Sequence, residues 1–244
     1  MNTIGKEFIE KTKYKYLDTS DQMKGYESPP LEADYDTSLP HVALPDPRTY
    51  KEFRVSIREA IERRTSVRDY SHLPMSREEL SYVLWCTQGV REIVSGASTL
   101  RTVPSAGARH PLETYLLVHK VKDIPPGLYR YIALEHKLVH LPTAQGLTGR
   151  ITKAFLDQEI VRECAVLFIW VATVYRTTWR YSERGYRYIF LDAGHACQNL
   201  YLSAESVGCG VCAIAAFHDD AVNQLLGVDG DKQFAIYAAT AGKK

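Results

Sequence analysis

Ala60-Ile-Glu-Arg-Arg-Thr-Ser-Val-Arg-Asp-Tyr70 decides how this chain is read. An amphipathic helix ends in this stretch and delivers arginines and hydroxyls into a short turn. Arg64, Ser66 and Arg68 alternate, so in an extended segment their side chains leave on one face. Two guanidinium forks around a hydroxyl suit a phosphate dianion. The plainer reading is a solvated cation cluster closing a helix, where positive charge favours the helix dipole. The choice rests on what the remaining residues bring to that turn.

Working outward, residues 50–63 read as the helix that feeds the turn, with Phe53, Ile57, Ala60 and Ile61 at helical spacing. Pro74 breaks the chain after it. Ser76-Arg-Glu-Glu79 is a capping-box signature. It opens a second helix whose Leu80, Val83, Leu84 and Thr87 share a face, and Gly89 ends it. Upstream, residues 1–49 are polar and dense in tyrosine and proline (Tyr26, Pro29, Pro30, Tyr35, Pro40, Pro45, Pro47), which excludes long helices. They read as an extended arm, helical only near residues 8–16. It either wraps a partner subunit or is disordered. Residues 50–244 then form one domain.

Downstream, residues 91–111 have no usable period, and 113–120 read as a buried strand. Residues 127–133 and 137–141 form a hairpin with Leu128, Arg130 and Ile132 alternating. Residues 144–163 are mostly helical. Residues 164–174 are a continuous β-branched and aromatic run, as in a central strand. An aromatic and basic strip, 177–187, precedes a long helix over 188–206. A strand of small residues (208–216), a short helix (219–226) and a last strand (233–240) complete the chain. Helices and strands alternate without a repeated βαβ rhythm. That pattern predicts an α+β fold: a mostly antiparallel sheet with helices packed on it.

The 244 residues carry a formal net charge of +1, so nothing global steers the protein to nucleic acid or to a membrane surface. The longest apolar run, about residues 165–174, is too short to span a bilayer, and the N-terminus lacks the apolar core of a secretory signal. Five cysteines, an odd number, read as reduced thiols of a cytoplasmic protein. Cys209-Gly-Val-Cys212 has redox-motif spacing, but without a second pair or nearby histidines a zinc site is not expected. Small residues filling a tight strand are the simpler account.

No G-x-G-x-x-G follows a strand, and no G-K-[ST] or G-x-S-x-G element occurs, so Rossmann, P-loop and serine-hydrolase chemistry have no anchor. His195 lies one helical turn from Asp192, as an acid/base pair or as a structural polar pair. Arg109 and His110, before Pro111, meet an anion or form an exposed loop pair. Arg180-Tyr181 combines a permanent cation with a phenol that can donate or relay a proton. The alternative is an aromatic-basic surface strip.

Taken in order, these pieces resemble the nitroreductase family of flavin enzymes, and more closely its SagB-type dehydrogenase branch. The residues that carry the resemblance are Arg63-Arg-Thr-Ser-Val-Arg68, Pro104-Ser-Ala-Gly-Ala-Arg-His-Pro-Leu-Glu113, Gly127-Leu-Tyr-Arg-Tyr131, Arg180-Tyr181, Arg184-Gly-Tyr-Arg-Tyr188 and Asp192-Ala-Gly-His-Ala-Cys-Gln-Asn199. The resemblance implies FMN bound at the interface of an intertwined homodimer. Arg64 and Ser66, with Thr65 between them, match phosphate-binding positions. Arg68 matches the position that reaches the ribityl chain and the pyrimidine edge. Pro104, Ser105, Ala106 and Gly107 match the loop given by the other subunit. Gln158 resembles a helical amide residue near the ring, and Lys243 the C-terminal cation that closes on the phosphate.

Two departures stand out. Ala215-Ala216 replaces the Glu-Gly pair of many members beside flavin N5, where a backbone amide can still reach N5. Arg180-Tyr181 replaces the Lys-Tyr pair of azoline-oxidising members. The implied activity is hydride exchange between FMN and a small-molecule or peptide substrate, with NAD(P)H as electron partner. An FMN carrier or sensor without turnover, and an azoline dehydrogenase of peptide maturation, are the alternatives.

Overall fold

The computed structural model describes residues 3–51, 55–94 and 98–244. The arm contributes α1 (Ile4–Lys11) and β1 (His41–Ala43). α2 (Ile57–Arg63) precedes the arginine turn and α3 (Arg77–Gln88) follows it. β2 (Val90–Val94) and β3 (Ser98–Arg101) pair as a separate two-stranded sheet. β4 (Leu112–Val118), β5 (Gly127–Ile132) and β6 (Lys137–His140) make a meander. Then come α4 (Leu147–Ala154), α5 (Ile160–Glu163), β7 (Val166–Thr173), α6 (Tyr175–Tyr181), α7 (Gly185–Ser206), β8 (Cys209–Ile214), α8 (Asp219–Leu226) and β9 (Gln233–Lys243). The main sheet has the order β1-β6-β5-β4-β7-β9-β8, with every neighbouring pair antiparallel. This is the expected α+β architecture.

β7 is the spine of the sheet, buried from Val166 to Ala172. Because successive strand residues face opposite ways, it feeds two cores. Phe168, Trp170 and Ala172 pack with Leu80 and Leu84 of α3 and Ala193, Ala196 and Leu200 of α7. Leu167, Ile169 and Val171 pack with Leu147 and Ile151 of α4 and Val222 and Leu226 of α8. Covering both faces requires the unbroken apolar run seen in the sequence. No helix among the described residues is long and apolar enough to cross a membrane.

Helix starts follow their caps. Ser76 and Glu79 form the expected capping box. A second one, Ser56 with Glu59, starts α2 at Ile57 and corrects the helix expected from residue 50. Phe53 lies outside the described residues. The 177–187 strip is divided among α6, a 3-10 turn at Ser182–Arg184 and the start of α7, and β9 runs past the expected end at residue 240 to Lys243.

The arm lies along its own chain, tied down by buried arginines. Arg130 donates to the carbonyls of Ala33 (2.6 Å) and Asp34 (2.8 Å), Arg176 to Pro30 (2.9 Å) and Arg101 to Leu31 (3.3 Å). Behind them Glu113, 3% exposed, pairs with Arg130 at 3.0 Å and with Arg176, and accepts the Ala33 N–H at 2.8 Å. Burial opposes its charge, but Arg176 and Arg130 together outweigh burial and hold Glu113 below the usual carboxylate range. β1 adds the arm to the sheet edge by pairing with β6.

Candidate functional site

The arginine turn runs beside β8. Ser66 bridges Val211, the Val67 N–H donates to the Val211 carbonyl at 2.9 Å, and the Ser71 N–H donates to the Lys243 carbonyl at 2.9 Å. Two glycines allow this approach. A Cβ on Gly210 would lie 2.6 Å from the Val67 side chain, and one on Gly242 2.8 Å from the Tyr70 ring. With Val67 turned against Gly210, Ser66 and Arg68 are exposed and Arg64 is half-buried. Thr65, between them, is also exposed.

Tyr201 of α7 organises the turn. Its hydroxyl lies 3.0 Å from Ser66 Oγ and accepts the Ala213 N–H at 2.9 Å, and the Arg64 guanidinium stands 5.4 Å over its ring. In sequence Tyr201 is one more apolar position of a long helix, so nothing there singles it out. Lys243 is nearby, paired with Glu79 and donating to the Val207 carbonyl at 3.2 Å.

The far end of β8 delivers Ala215 and Ala216 into an exposed segment, roughly 13 Å from Val211 at a strand's rise per residue. The Gln158 amide donates to the Ala216 carbonyl at 3.0 Å and the Phe155 carbonyl at 2.9 Å. The resemblance implied a helical position for Gln158, but it lies outside both helices, between α4 and α5. Leu156 (φ 59°) and Asp157 (φ 55°) are left-handed and break the chain between α4 and α5. Arg64, Ser66, Arg68, Lys243, Gln158 and Ala215 therefore fall along one strip beside β8.

Pro104–Gly107 gathers elsewhere. Asp192 of α7, 5% exposed, accepts Ser105 O–H at 2.5 Å and the Ala106 N–H at 3.2 Å, and Ser105 Oγ accepts the His110 N–H at 2.8 Å. Burial pushes Asp192 above the usual range, and these donors resist that. Asp192 thus serves this loop, while His195 is exposed and shares no hydrogen bond with it among the described residues. Gly107 has φ 60°, and a Cβ there would lie 2.5 Å from Tyr181 Oη and 3.0 Å from Arg180 Cδ and Nε. The loop and the Arg180-Tyr181 pair are thus one cluster. Tyr181 also meets Tyr188 edge-on, with centroids 4.9 Å apart.

Arg109 and His110 are buried, not an exposed loop pair. Arg109 donates to the Gly107 carbonyl at 3.1 Å and stands 5.3 Å over Trp179. Burial first, then the charge of Arg101, pushes His110 down to about 3, so its ring is neutral at pH 7 and offers no charge to an anion. Of the seven non-glycine residues with positive φ among the described residues, Ala108, Asp157 and Ser182 adjoin Gly107, Gln158 and Tyr181, and His110 and Leu156 lie within three residues of Gly107 and Gln158. Strained backbone persists where surrounding structure holds it, as at ligand sites. Cys209 and Cys212 are free and buried. Burial pushes Cys209 up to about 12 and raises Cys212 too, against thiolate redox chemistry.

Asp192 and Tyr201 are nine residues apart on α7 (201 − 192). That is about 2.5 turns and about 13 Å of rise, so the two anchors project from opposite faces of the helix. One chain therefore presents two separate clusters, the β8 strip and the 104–107/180–181 cluster. The strip fits FMN chemically. It offers guanidiniums and hydroxyls for a phosphate, and exposed strand-end backbone further along for a ring. Beside these clusters, α7 exposes Phe190 (53%) and Leu191 (59%), and α2 exposes Ile57 and Ile61.

The sequence model of the nitroreductase family matches residues 61–243. A protein of Methanocaldococcus jannaschii, MJ1384, whose name assigns it provisionally to the nitroreductases, is 32% identical over 190 residues, covering 78% of this chain and 92% of that one. The trifolitoxin-processing protein TfxB of Rhizobium leguminosarum bv. trifolii is 29% identical over 154 residues, 62% of this chain and 41% of its own. A chain of the E. coli microcin synthetase McbBCD complex, with truncated pro-MccB17 bound, shares the fold. Its TM-score is 0.61 at 18% identity, over 98% of this chain and 86% of that one.

Proposed function

This chain belongs to the nitroreductase family, and from that premise we propose that it is an FMN-dependent oxidoreductase of the SagB-type dehydrogenase branch, working as a cytoplasmic homodimer. Similarity to the trifolitoxin-processing protein supports the branch. The observation that carries the reading is the division of the motif set between opposite faces of α7. A second subunit, seated on exposed Phe190 and Leu191, brings one chain's 104–107 loop to the other chain's β8 strip.

Bound FMN supplies N5, which exchanges a hydride with NAD(P)H and with a small-molecule or peptide substrate. Arg64, Thr65 and Ser66 hold the phosphate, and Lys243 adds a cation there. Arg68 lies along the ribityl chain and the pyrimidine edge, where a guanidinium favours the reduced anion. Gln158 and the backbone at Ala215 border the ring. Pro104, Ser105, Ala106 and Gly107 close the site from the other subunit. Tyr181 donates or relays the substrate proton. Arg180 stays protonated and cannot be the base. Transient stacking on bound FMN would let NAD(P)H act without a dinucleotide fingerprint.

The purified protein is expected to be yellow, with a spectrum that NAD(P)H bleaches and a dimer's mass in sedimentation. A colourless protein indifferent to added FMN overturns the proposal. Ala215-Ala216 and Arg180 favour a second reading, a flavin carrier or sensor. Bound flavin without turnover on quinones and nitroarenes would establish it. Azoline oxidation, the third reading, draws on the trifolitoxin-processing relative and is read as a loss of two hydrogens from an azoline peptide.

A further inference from the structure

We propose that Arg180 is an anion anchor, and that the substrate of the site served by Tyr181 carries a carboxylate, sulfonate or phosphate group. The inference rests on the reading above that Tyr181 faces the reacting end of the site.

The charge on Arg180 is uncompensated among the described residues. Arg180, in the last turn of α6, is exposed, and its guanidinium lies 5.6 Å from the Tyr181 ring centroid. Gly107 fixes the pair from the other side. Among the described residues Arg180 has neither an ion pair nor a hydrogen bond. Its charge reaches Arg109, where it adds to burial in disfavouring the second guanidinium. Arg184 and Arg187 follow in the same corner. Arg184 meets the Thr12 carbonyl (3.0 Å) and Tyr188 Oη (2.9 Å), and Arg187 meets Thr12 Oγ1 (2.6 Å) and the Ile9 carbonyl. These partners are dipoles and carry no negative charge.

Three buried arginines of the same chain are treated differently. Arg130 and Arg176 share Glu113, and Arg101 feels Glu113 and Glu32. Three buried guanidiniums thus face carboxylates, whereas Arg180 stands beside Tyr181 in a strained loop corner with no carboxylate partner among the described residues. A planar fork with a delocalised charge is suited to a two-pronged grip on an oxyanion. It cannot act as a base. An arginine that merely shields Tyr181 is the rival account.

Two quinones sharing a ring system separate these accounts: neutral 2-methyl-1,4-naphthoquinone and anionic 1,4-naphthoquinone-2-sulfonate. In each turnover NAD(P)H gives a hydride, solvent gives a proton, and the quinone becomes the hydroquinone. The readout is kcat/KM for both acceptors in wild type, Arg180→Gln and Arg180→Lys, with calorimetric binding of the sulfonate to the oxidised holoprotein.

Arg180→Gln is expected to lower the sulfonate-to-neutral ratio about tenfold, chiefly through KM, as loss of a charged hydrogen bond implies. Arg180→Lys should retain part of the preference. Calorimetric affinity for the sulfonate should fall with the same substitution, and with salt as screening shortens from about 30 Å at 0.01 M to about 8 Å at 0.15 M. A ratio and a sulfonate affinity unchanged by Arg180→Gln overturn the anchor. If Arg180→Gln does not fold, the salt dependence of wild-type sulfonate binding decides instead, and its absence overturns the anchor. Absence of flavin and of turnover with both quinones would overturn the oxidoreductase reading, while sulfonate calorimetry still decides the anchor.

Discussion

Replacing Asp192 tests how the 104–107 loop is held. The carboxylate is 5% exposed and receives two hydrogen bonds, from Ser105 O–H at 2.5 Å and Ala106 N–H at 3.2 Å. Hydrogen bonds to a charged group contribute about 1.5–3 kcal/mol each. Asp192→Ala removes both, and relief of the buried charge returns part, which leaves a loss of about 3 kcal/mol. Asp192→Asn keeps the shape. Its oxygen can still accept from Ala106, and its amide can donate to Ser105 Oγ, so the loss falls to about 1 kcal/mol. Urea unfolding at fixed protein concentration, followed by circular dichroism, measures both. With a slope near 3 kcal/mol/M, the midpoints should drop by about 1 M and about 0.3 M. Flavin affinity should weaken in the alanine variant, because the loop it loosens belongs to the proposed FMN site. Equal midpoints for the two variants, or an alanine variant within about 0.5 kcal/mol of wild type, would refute the assignment of Asp192 as the loop's anchor.

Further expectations follow from other contacts. Glu113→Gln leaves Arg130 and Arg176 buried with their shared countercharge gone, and should cost about 3–5 kcal/mol. Limited proteolysis should then cut within residues 27–40, and an uncut arm would refute the anchoring. Gly107→Ala places a Cβ 2.5 Å from Tyr181 Oη at a left-handed position, and should destabilise the fold by about 1–3 kcal/mol in urea melts. His110 titrates at about 3 in the fold against an ordinary 6.5, so between those values the unfolded chain binds a proton that the fold does not. Stability therefore rises with pH across that window, by up to about 1.4 kcal/mol per unit from this residue. His110→Gln should flatten the slope measured between pH 5 and 6.5.

Sequence pattern revealed what local chemistry specifies. The Ser76 capping box, the apolar run of β7, the α8 boundaries and the β5–β6 hairpin are all set by residues close in the chain. What could not be read depends on distant partners. β1 is three residues long and exists only because β6 is beside it. Arg101, Arg130 and Arg176 look like surface cations until Glu113 and the arm carbonyls meet them in the interior. Tyr201 carries no local mark of its contact with Ser66, 135 residues away in the chain. The helix drawn from residue 50 failed because apolar spacing overrode the Ser56 cap. Arg64, Ser66 and Arg68 were legible for the opposite reason, since a strict alternation needs no partner to define its face.

The opposed faces of α7 have a genetic consequence. A lesion in the arginine turn, such as Arg64→Ala, and one at Tyr181 would damage different halves of the proposed shared centre. In the proposed dimer each homodimer carries its lesion in both centres. A mixed dimer concentrates both lesions in one centre and leaves the other wild type. Two defective alleles expressed together should therefore restore part of the activity, with random pairing yielding mixed dimers in half of the molecules. Two alleles damaged on the same face, Arg64 and Arg68 for example, should show no such interallelic rescue.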